Sequence, residues 1–143
     1  MTDIKFFVAG EPAPKGSTKS FPYRRNNGHL GVSTTNANPK TAPWEARVSC
    51  EAQRAFLDAE QRMFDGAVEV RMTFHLPRPA SLPKRVTWPI KRKFDVDKLA
   101  RAILDGLTGV AFVDDGQVVR IMATKRYGAE YIGCAIEVSE VLG

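Results

Sequence analysis

Four aspartates have types and spacing that could hold a metal ion. Asp95 and Asp97 lie two residues apart, and Asp114 and Asp115 are adjacent in a loop further along the chain. Two carboxylates at this spacing, where a loop enters a helix, can turn toward one space, and a chain that folds back can add the second pair. Clustered carboxylates repel one another, and hard oxygen ligands select Mg²⁺ or Mn²⁺ as the neutralising cation. A metal held in this way activates water for attack on phosphorus and offsets charge in the transition state.

Each of these acids also has an ordinary structural explanation. Asp95 would serve as a helix N-cap, and Asp97 is an acid of the kind that the helix dipole favours in a first turn. The run Asp114, Asp115, Gly116 has the composition of a turn. Spacing by itself therefore leaves a metal site and a structural role as open alternatives, and the neighbouring charges bear on the choice.

A basic, proline-rich stretch precedes the first acid pair. Residues 77–94 contain four prolines, which exclude a regular helix, and Trp88 stands among the cations. Lys and Arg hold a DNA backbone in register, so we expect phosphate contact here, the alternative being a solvated surface. The candidate DNA-binding residues of this stretch, with one from the following helix, are Lys84, Arg85, Lys91, Arg92, Lys93 and Lys98.

A second basic stretch lies near the beginning of the chain. Residues 10–40 are rich in Gly, Pro, Asn, Ser and Thr without periodicity, which predicts a long irregular loop. Its cations interleave with Phe21 and Tyr23, a composition that suits backbone phosphates and exposed bases. A solvated loop is the alternative. The candidate DNA-binding residues here are Lys15, Lys19, Arg24 and Arg25.

Charge is distributed unevenly along the 143 residues. The first 93 carry 16 Lys and Arg against 8 Asp and Glu, whereas the rest carry 5 against 8, within a net charge of +5. A basic surface attracts polyanions, and a local group of acids repels phosphate unless a cation sits among them, as in a metal-dependent nuclease. No apolar run is long enough to span a bilayer, and Cys50 and Cys134 lack metal-ligand spacing. We therefore expect a cytoplasmic protein that uses neither a membrane nor a zinc site.

A small set of helices and strands must position these residues. Apolar periodicity predicts one helix over 42–62, with Thr41 as its N-cap, and a second over 95–107. Alternating patterns predict strands over 4–9, 68–76, 117–127 and 130–141. Gly128 and Ala129 predict a tight hairpin between the last two strands. The order β-α-β-α-β-β predicts an α+β fold, with an α/β-type mixed sheet, as a single compact domain over 1–143.

The second helix is expected to present two different faces. Three residues at four-residue intervals, Asp97, Arg101 and Asp105, project from one face. The buried stripe lies on another face and is predicted to comprise Val96, Leu99, Ile103 and Leu107.

The stretch FDVDKLARAILDGLTGVAFVDDGQVVRIMATK resembles the signature of the RusA family of Holliday-junction resolvases. That signature is close to D-x-D-N-L-x-K-x-x-x-D-x-L, followed after a short segment by D-D-x-Q-V. The resemblance implies a Mg²⁺-dependent endonuclease, able to use Mn²⁺, that cuts four-way DNA junctions as a homodimer of bacterial or phage origin. It places the metal on Asp95, Asp97 and Asp115, with Asp114 and Asp105 as further acids. Gln117 and Val118 complete the motif.

Two positions depart from the family pattern. Lys98 stands where the family usually has Asn, and Arg101 where it has Lys. Arg101 could clamp the scissile phosphate or orient a carboxylate, and the alternative is a plain ion pair with Asp97 or Asp105. An arginine is a poor general acid or base because it holds its proton. These departures keep open a non-catalytic module that binds branched DNA. A metal-dependent nuclease with little preference for branches is a further alternative.

Overall fold

The computed structural model describes residues 3–16, 18–24, 26–36, 38–90 and 94–143. It is a single compact α+β domain, as the sequence predicts. Two helices pack against a mixed four-stranded sheet, and a separate two-stranded sheet is formed by residues between 18 and 36. The elements, in chain order, are β1 (Asp3–Ala9), β2 (Thr18–Arg24), β3 (Leu30–Asn36), α1 (Thr41–Asp58), β4 (Val68–Leu76), α2 (Val96–Leu107), a 3-10 turn (Asp115–Gln117), β5 (Val118–Tyr127) and β6 (Gly133–Glu140).

The main sheet has the order β1-β6-β4-β5, which makes the predicted hairpin between β5 and β6 wrong. β4 lies between them, parallel to β5 and antiparallel to β6. Gly128 donates its amide to Leu76 O at the end of β4 (2.8 Å), so β5 keeps its pairing with β4 through this point. The residues that follow cross the end of β4 to begin β6. The backbone at Gly128 lies close to that of Tyr131, since a Cβ added at Gly128 would lie 2.1 Å from Tyr131 O.

The segment 10–40, predicted to be irregular throughout, contains the antiparallel pair β2 and β3. The prediction of a continuous loop is therefore wrong over these two strands. β2 carries a proline, Pro22, and the strands lack the regular alternation of apolar residues that marks β4 in the sequence. The periodicity of apolar residues therefore does not predict strands of this kind.

The helices bury apolar stripes against one face of the sheet. Trp44, Val48, Ala52 and Phe56 of α1 are buried, as are the alternate residues of β4 from Val68 to Leu76. In α2 the predicted residues Leu99, Ile103 and Leu107 are buried, whereas Val96 is 37% exposed at the first turn and was wrongly included.

The boundaries of α1 differ from those predicted. The helix ends at Asp58 rather than 62 because Glu60 takes a left-handed φ of 52° and Gln61 donates its amide to Phe56 O. Thr41 is the first helical residue rather than the N-cap, and its hydroxyl donates to Pro14 O at 2.8 Å. Within the described part of the chain, neither helix is long and apolar enough to cross a membrane.

Neither of the two described helices covers the other face of the sheet. On it, Glu69 accepts hydrogen bonds from Arg71 (2.6 Å) and from Arg120 of the neighbouring strand (2.8 Å). The bond from Arg71, followed by that from Arg120, lowers the pKa of the Glu69 carboxyl. At the far end of this open face, His75 packs beside Phe7 and Tyr131. The metal site predicted from the aspartates lies instead on the side of the sheet that the helices cover.

Candidate active site

A groove between α2 and β5 brings together three of the predicted site residues. Asp97 and Arg101 enter it from successive turns of α2, and Asp115 enters from the 3-10 turn that precedes β5. The groove has a volume of about 470 Å³. Its remaining lining is apolar and consists of Val96, Ala100, Leu104, Ile121 and Ala123. Two carboxylates and one guanidinium thus share a shallow space with an apolar floor.

Asp95 takes the N-cap position of α2 but does not cap it with its side chain. Its backbone carbonyl accepts from Leu99 N (3.0 Å), while its carboxylate, 46% exposed, lies 3.9 Å from the Lys98 ammonium. Asp95 is not among the residues that line the groove. Its carboxylate is therefore held only loosely, two residues before Asp97 in the chain.

Asp114 and Asp115 are separated by the geometry of the turn. Asp114 and Gln117 form a capping box, and the Gln117 Oε1 accepts from Val113 N (2.8 Å) and Asp114 N (3.1 Å). The Asp114 carboxylate is turned back toward Gly116, where an added Cβ would lie 3.1 Å from its Oδ2. Asp115, one residue on, is the member of the pair that lines the groove.

The Gln117 side chain fastens this turn to the segment before β4. Its Nε2 donates to Phe64 O and to Gly66 O, both at 2.9 Å. With the two bonds that its Oε1 accepts, all four hydrogen-bonding positions of the amide are used. Asp115 is therefore carried on a turn whose position is fixed from both sides.

The groove offers a metal ion a pair of acids rather than a ready cluster of four. No group of three or more His, Cys, Asp or Glu side chains is close enough to hold a metal, as far as the residues with described positions go. The reasons are local, because Asp95 faces Lys98 and Asp114 belongs to the capping box. Two carboxylates still suit Mg²⁺, which commonly takes one or two protein carboxylates and completes its shell with water and substrate phosphate. The donor chemistry of Asp97 and Asp115 fits that ion.

Arg101 is exposed, and among the described residues no salt bridge involves it. The ion pairs with Asp97 and Asp105 considered from the sequence are thus not formed. Asp105 instead accepts from Lys15 at 2.8 Å, and the same ammonium lies 2.9 Å from Glu45. The Arg101 guanidinium keeps its charge for a ligand in the groove.

The chain matches the family model of endodeoxyribonuclease RusA over residues 10–139. It belongs to this family. The match contains both helices, the 3-10 turn and the whole groove, with only β1 and the last residues outside it. No curated protein matches the chain.

In this RusA-family chain, Lys15 has a structural role that sequence reasoning did not assign. Its backbone amide donates to Lys98 O (3.0 Å), and its ammonium joins α1 through Glu45 to α2 through Asp105. The hydrogen bond that Lys15 donates to Asp105, followed by the one that it donates to Glu45, raises the pKa of the Lys15 ammonium. Any phosphate near Lys15 competes with two carboxylates already in contact.

The other cations predicted to bind DNA have varied positions. Lys84, Arg85 and Lys98 are exposed. Lys19 and Arg24 are residues of β2. Arg25, Lys91, Arg92 and Lys93 lie outside the described residues.

Lys125 is a residue near the RusA-family site that sequence reasoning missed. It follows Ile121 and Ala123 at two-residue spacing on β5, so it points to the helix side of the sheet. Its ammonium donates to Phe94 O at 2.8 Å, directly before Asp95. The sequence could have indicated Lys125 through its position in the strand. It lies on the same strand face as Ile121 and Ala123, which is unusual for a lysine that is merely solvated.

Proposed function

We propose that this RusA-family protein is a Mg²⁺-dependent endodeoxyribonuclease that resolves four-way Holliday junctions by phosphodiester hydrolysis, in DNA recombination and repair. The observation that supports this most is the meeting of Asp97, Arg101 and Asp115 in one groove. Asp97 and Arg101 come from α2 and Asp115 comes from the 3-10 turn, and all three residues are exposed. Two carboxylates beside a guanidinium that makes no salt bridge to any described residue suit a phosphate and a divalent cation together.

Asp97 and Asp115 would hold the ion, with Asp95 and Asp114 as further acids close by in the chain. When bound, Mg²⁺ or Mn²⁺ supplies a water of lowered pKa and offsets charge on the phosphate in the transition state. The weak contact of Asp95 with Lys98 leaves its carboxylate able to turn toward the groove. Arg101 would clamp the scissile phosphate with two parallel hydrogen bonds, and it acts through charge rather than proton transfer.

DNA would be held mainly through its backbone. Lys84, Arg85 and Lys98 are the exposed cations of the described candidates, and the residues proposed with them are Lys15, Lys19, Arg24, Arg25, Lys91, Arg92 and Lys93. Such contacts make binding strongly salt-dependent. A four-way junction has near two-fold symmetry, so a two-fold homodimer would present one groove to each of two opposed strands. The substrate would place the enzyme in the cytoplasm of a bacterial or phage-infected cell.

The test is cleavage of a labelled synthetic four-way junction by the wild type with and without Mg²⁺, beside Asp97→Asn and Asp58→Asn. Asp58 is an exposed acid at the end of α1 and serves as the control. We expect metal-dependent cleavage that Asp97→Asn lowers by about 100-fold or more without loss of folding or of junction binding. Undiminished cleavage by Asp97→Asn would contradict the role of Asp97.

A non-catalytic module that binds branched DNA is the second candidate, and one contact favours it. Lys98 lies 3.9 Å from Asp95, so a cation competes with a metal for this carboxylate. This candidate predicts salt-sensitive junction binding without cleavage in Mg²⁺ or Mn²⁺. Cleavage rates on junction, flap and linear duplex distinguish the junction resolvase and the non-catalytic module from a nuclease that has no preference for branched DNA.

A further inference from the structure

The proline-rich loop over residues 77–90 exposes a tryptophan amid positive charge. Trp88 is 56% exposed, and Ile90, two residues on, is 81% exposed. The chain from 77 to 94 contains six Lys and Arg residues and no acid. Lys84 and Arg85 are exposed, and neither is in a salt bridge with any residue that the structure describes. The loop is therefore complementary to a polyanion, and it carries an exposed aromatic ring.

The loop is held in a fixed shape. Arg78 donates through Nη1 to Val86 O (2.7 Å) and through Nη2 to Pro83 O (2.9 Å), and its guanidinium stands 5.2 Å from the centre of the Tyr127 ring. Two turns add backbone bonds, Leu82 N to Pro79 O (3.1 Å) and Val86 N to Pro83 O (3.0 Å). Pro89, next to Trp88, is buried. A side chain carried on such a loop is already positioned before a ligand arrives, which lowers the entropy lost on binding.

The loop also leads directly to the groove. After it the chain reaches Phe94, whose carbonyl accepts from Lys125, and then Asp95 and Asp97 at the start of α2. Asp95 follows Trp88 by seven residues along the chain, so Trp88 lies within about 25 Å of the start of α2. DNA bound along the cations of the loop would thus approach the acids and the indole together.

Nothing in the packing of the residues that the structure describes explains the exposure of Trp88. The other tryptophan, Trp44, is 3% exposed in the core. Leaving a large indole in water forgoes the stabilisation that its burial would give. Aromatic rings among cations bind nucleic acid by stacking on bases, and the bases of an intact duplex are already stacked on one another. Bases at a branch point can be unpaired and present a free π face.

We propose that Trp88 is a stacking site for an unpaired nucleobase at the branch point, and that it increases the preference for branched over linear DNA. The inference rests on the proposed function, since it names how the same protein selects its substrate. Lys84 and Arg85 contribute affinity for any DNA, whereas the indole contributes only where a base is free. Truncating Trp88 should therefore lower junction binding and leave duplex binding nearly unchanged.

The two tryptophans allow a direct measurement by fluorescence. Iodide should quench the emission of Trp88 in the free protein and spare that of buried Trp44, and Trp88→Phe should remove the quenchable component. Adding a synthetic four-way junction in EDTA, where no cleavage occurs, should quench Trp88 and protect it from iodide. A linear duplex with the same arm sequences should do so much less. Equal protection by the two DNAs would overturn the proposal.

The test is completed by measuring affinities for the two DNAs with three variants, Trp88→Ala, Trp88→Phe and Ile90→Ala. We expect Trp88→Ala to reduce the junction-to-duplex affinity ratio roughly tenfold, as loss of one stacked base would do. Trp88→Phe should keep most of the ratio, and Ile90→Ala, an exposed truncation in the same loop, should keep all of it. An unchanged ratio in Trp88→Ala, or a change in its oligomeric state with no quenching by junction, would overturn the inference. If the wild type does not bind junctions at all, the proposed function itself fails.

Discussion

The ammonium of Lys125 lies 2.8 Å from the carbonyl oxygen of Phe94 and so ties β5 to the residue that precedes Asp95. β5 begins directly after the turn that carries Asp115, and α2 carries Asp97 and Arg101. The bond therefore joins the two elements that line the groove, at the end where α2 begins. Its strength should matter for how the acids face one another.

Lys125→Met should remove the hydrogen bond to Phe94 O while preserving most of the packing of the aliphatic part of the side chain. We expect kcat/KM for junction cleavage to fall about tenfold, with a higher Mg²⁺ concentration at half-maximal rate, because displaced ligands bind metal less well. Lys125→Arg keeps a donor and should recover part of the loss. Arg126→Met removes a charge from the opposite face of β5 and is the control. Equal losses in the Lys125 and Arg126 variants would show that net charge alone is responsible.

Gln117→Glu should destabilise the turn beneath Asp115. The substitution replaces the two donors that reach Phe64 O and Gly66 O with a carboxylate, and we expect the free energy of unfolding to fall by about 2 kcal/mol. Urea denaturation measures this, and a Mn²⁺ titration of the folded variant should show weaker binding. Gln61→Glu is the matched control, since that amide donates to the exposed Arg62 O and its loss should change stability by under about 0.5 kcal/mol. Similar stability changes in both variants would contradict a special role for Gln117.

Gly106→Ala should separate the two helices. An added Cβ would lie 2.9 Å from the Cβ and Cγ1 of Val48 and 3.0 Å from Glu45 O, so the helix axes must move. Although alanine favours a helix over glycine by about 1 kcal/mol, we expect a net loss of about 2 kcal/mol in stability. Gly66→Ala is the control because its Cβ would meet only Glu140 Oε1, at 3.8 Å. A Gly106→Ala protein as stable as the wild type would show that the helices can shift apart freely.

Stability should decrease as the pH falls below about 6.5, the ordinary pKa of histidine. Burial, followed by the charge of Arg126, lowers the pKa of His75 in the folded protein. The unfolded chain therefore takes up a proton at a higher pH than the folded chain does, which favours unfolding in the interval between the two pKa values. His75→Gln should show a smaller decrease in melting temperature between about pH 7 and 5. His29→Gln, at an exposed position, should retain the wild-type dependence, and an unchanged slope in His75→Gln would refute the assignment.

Patterns confined to one element predicted much of the fold and part of the site. The alternation in β4 and the buried stripe of α2 could be found in the sequence because each depends on a local period. The spacing of Asp97 and Arg101 placed both on one helix face, and they do share the groove.

Pairing between distant segments was beyond those patterns. Gly128 and Ala129 have the composition of a hairpin turn, yet β5 pairs with β4. The pairing of β5 depends on the arrangement of the whole sheet, which the residues of a single turn do not encode. The position of the turn that carries Asp115 depends on hydrogen bonds from Gln117 to Phe64 O and Gly66 O, which lie more than 50 residues earlier in the chain. The same holds for Lys15, whose two carboxylate partners lie 30 and more residues away.

The central position of β6 has a consequence for synthesis on the ribosome. β6 is the neighbour of both β1 and β4, yet it follows every other strand in the chain. A nascent chain that has emerged only as far as β5 can pair β4 with β5, but it leaves one edge of β4 open and β1 without a partner. Such an open edge invites pairing with other polypeptides. Before β6 emerges, the nascent chain is therefore most exposed to pairing with other polypeptides, and the addition of β6 between β1 and β4 removes that exposed edge.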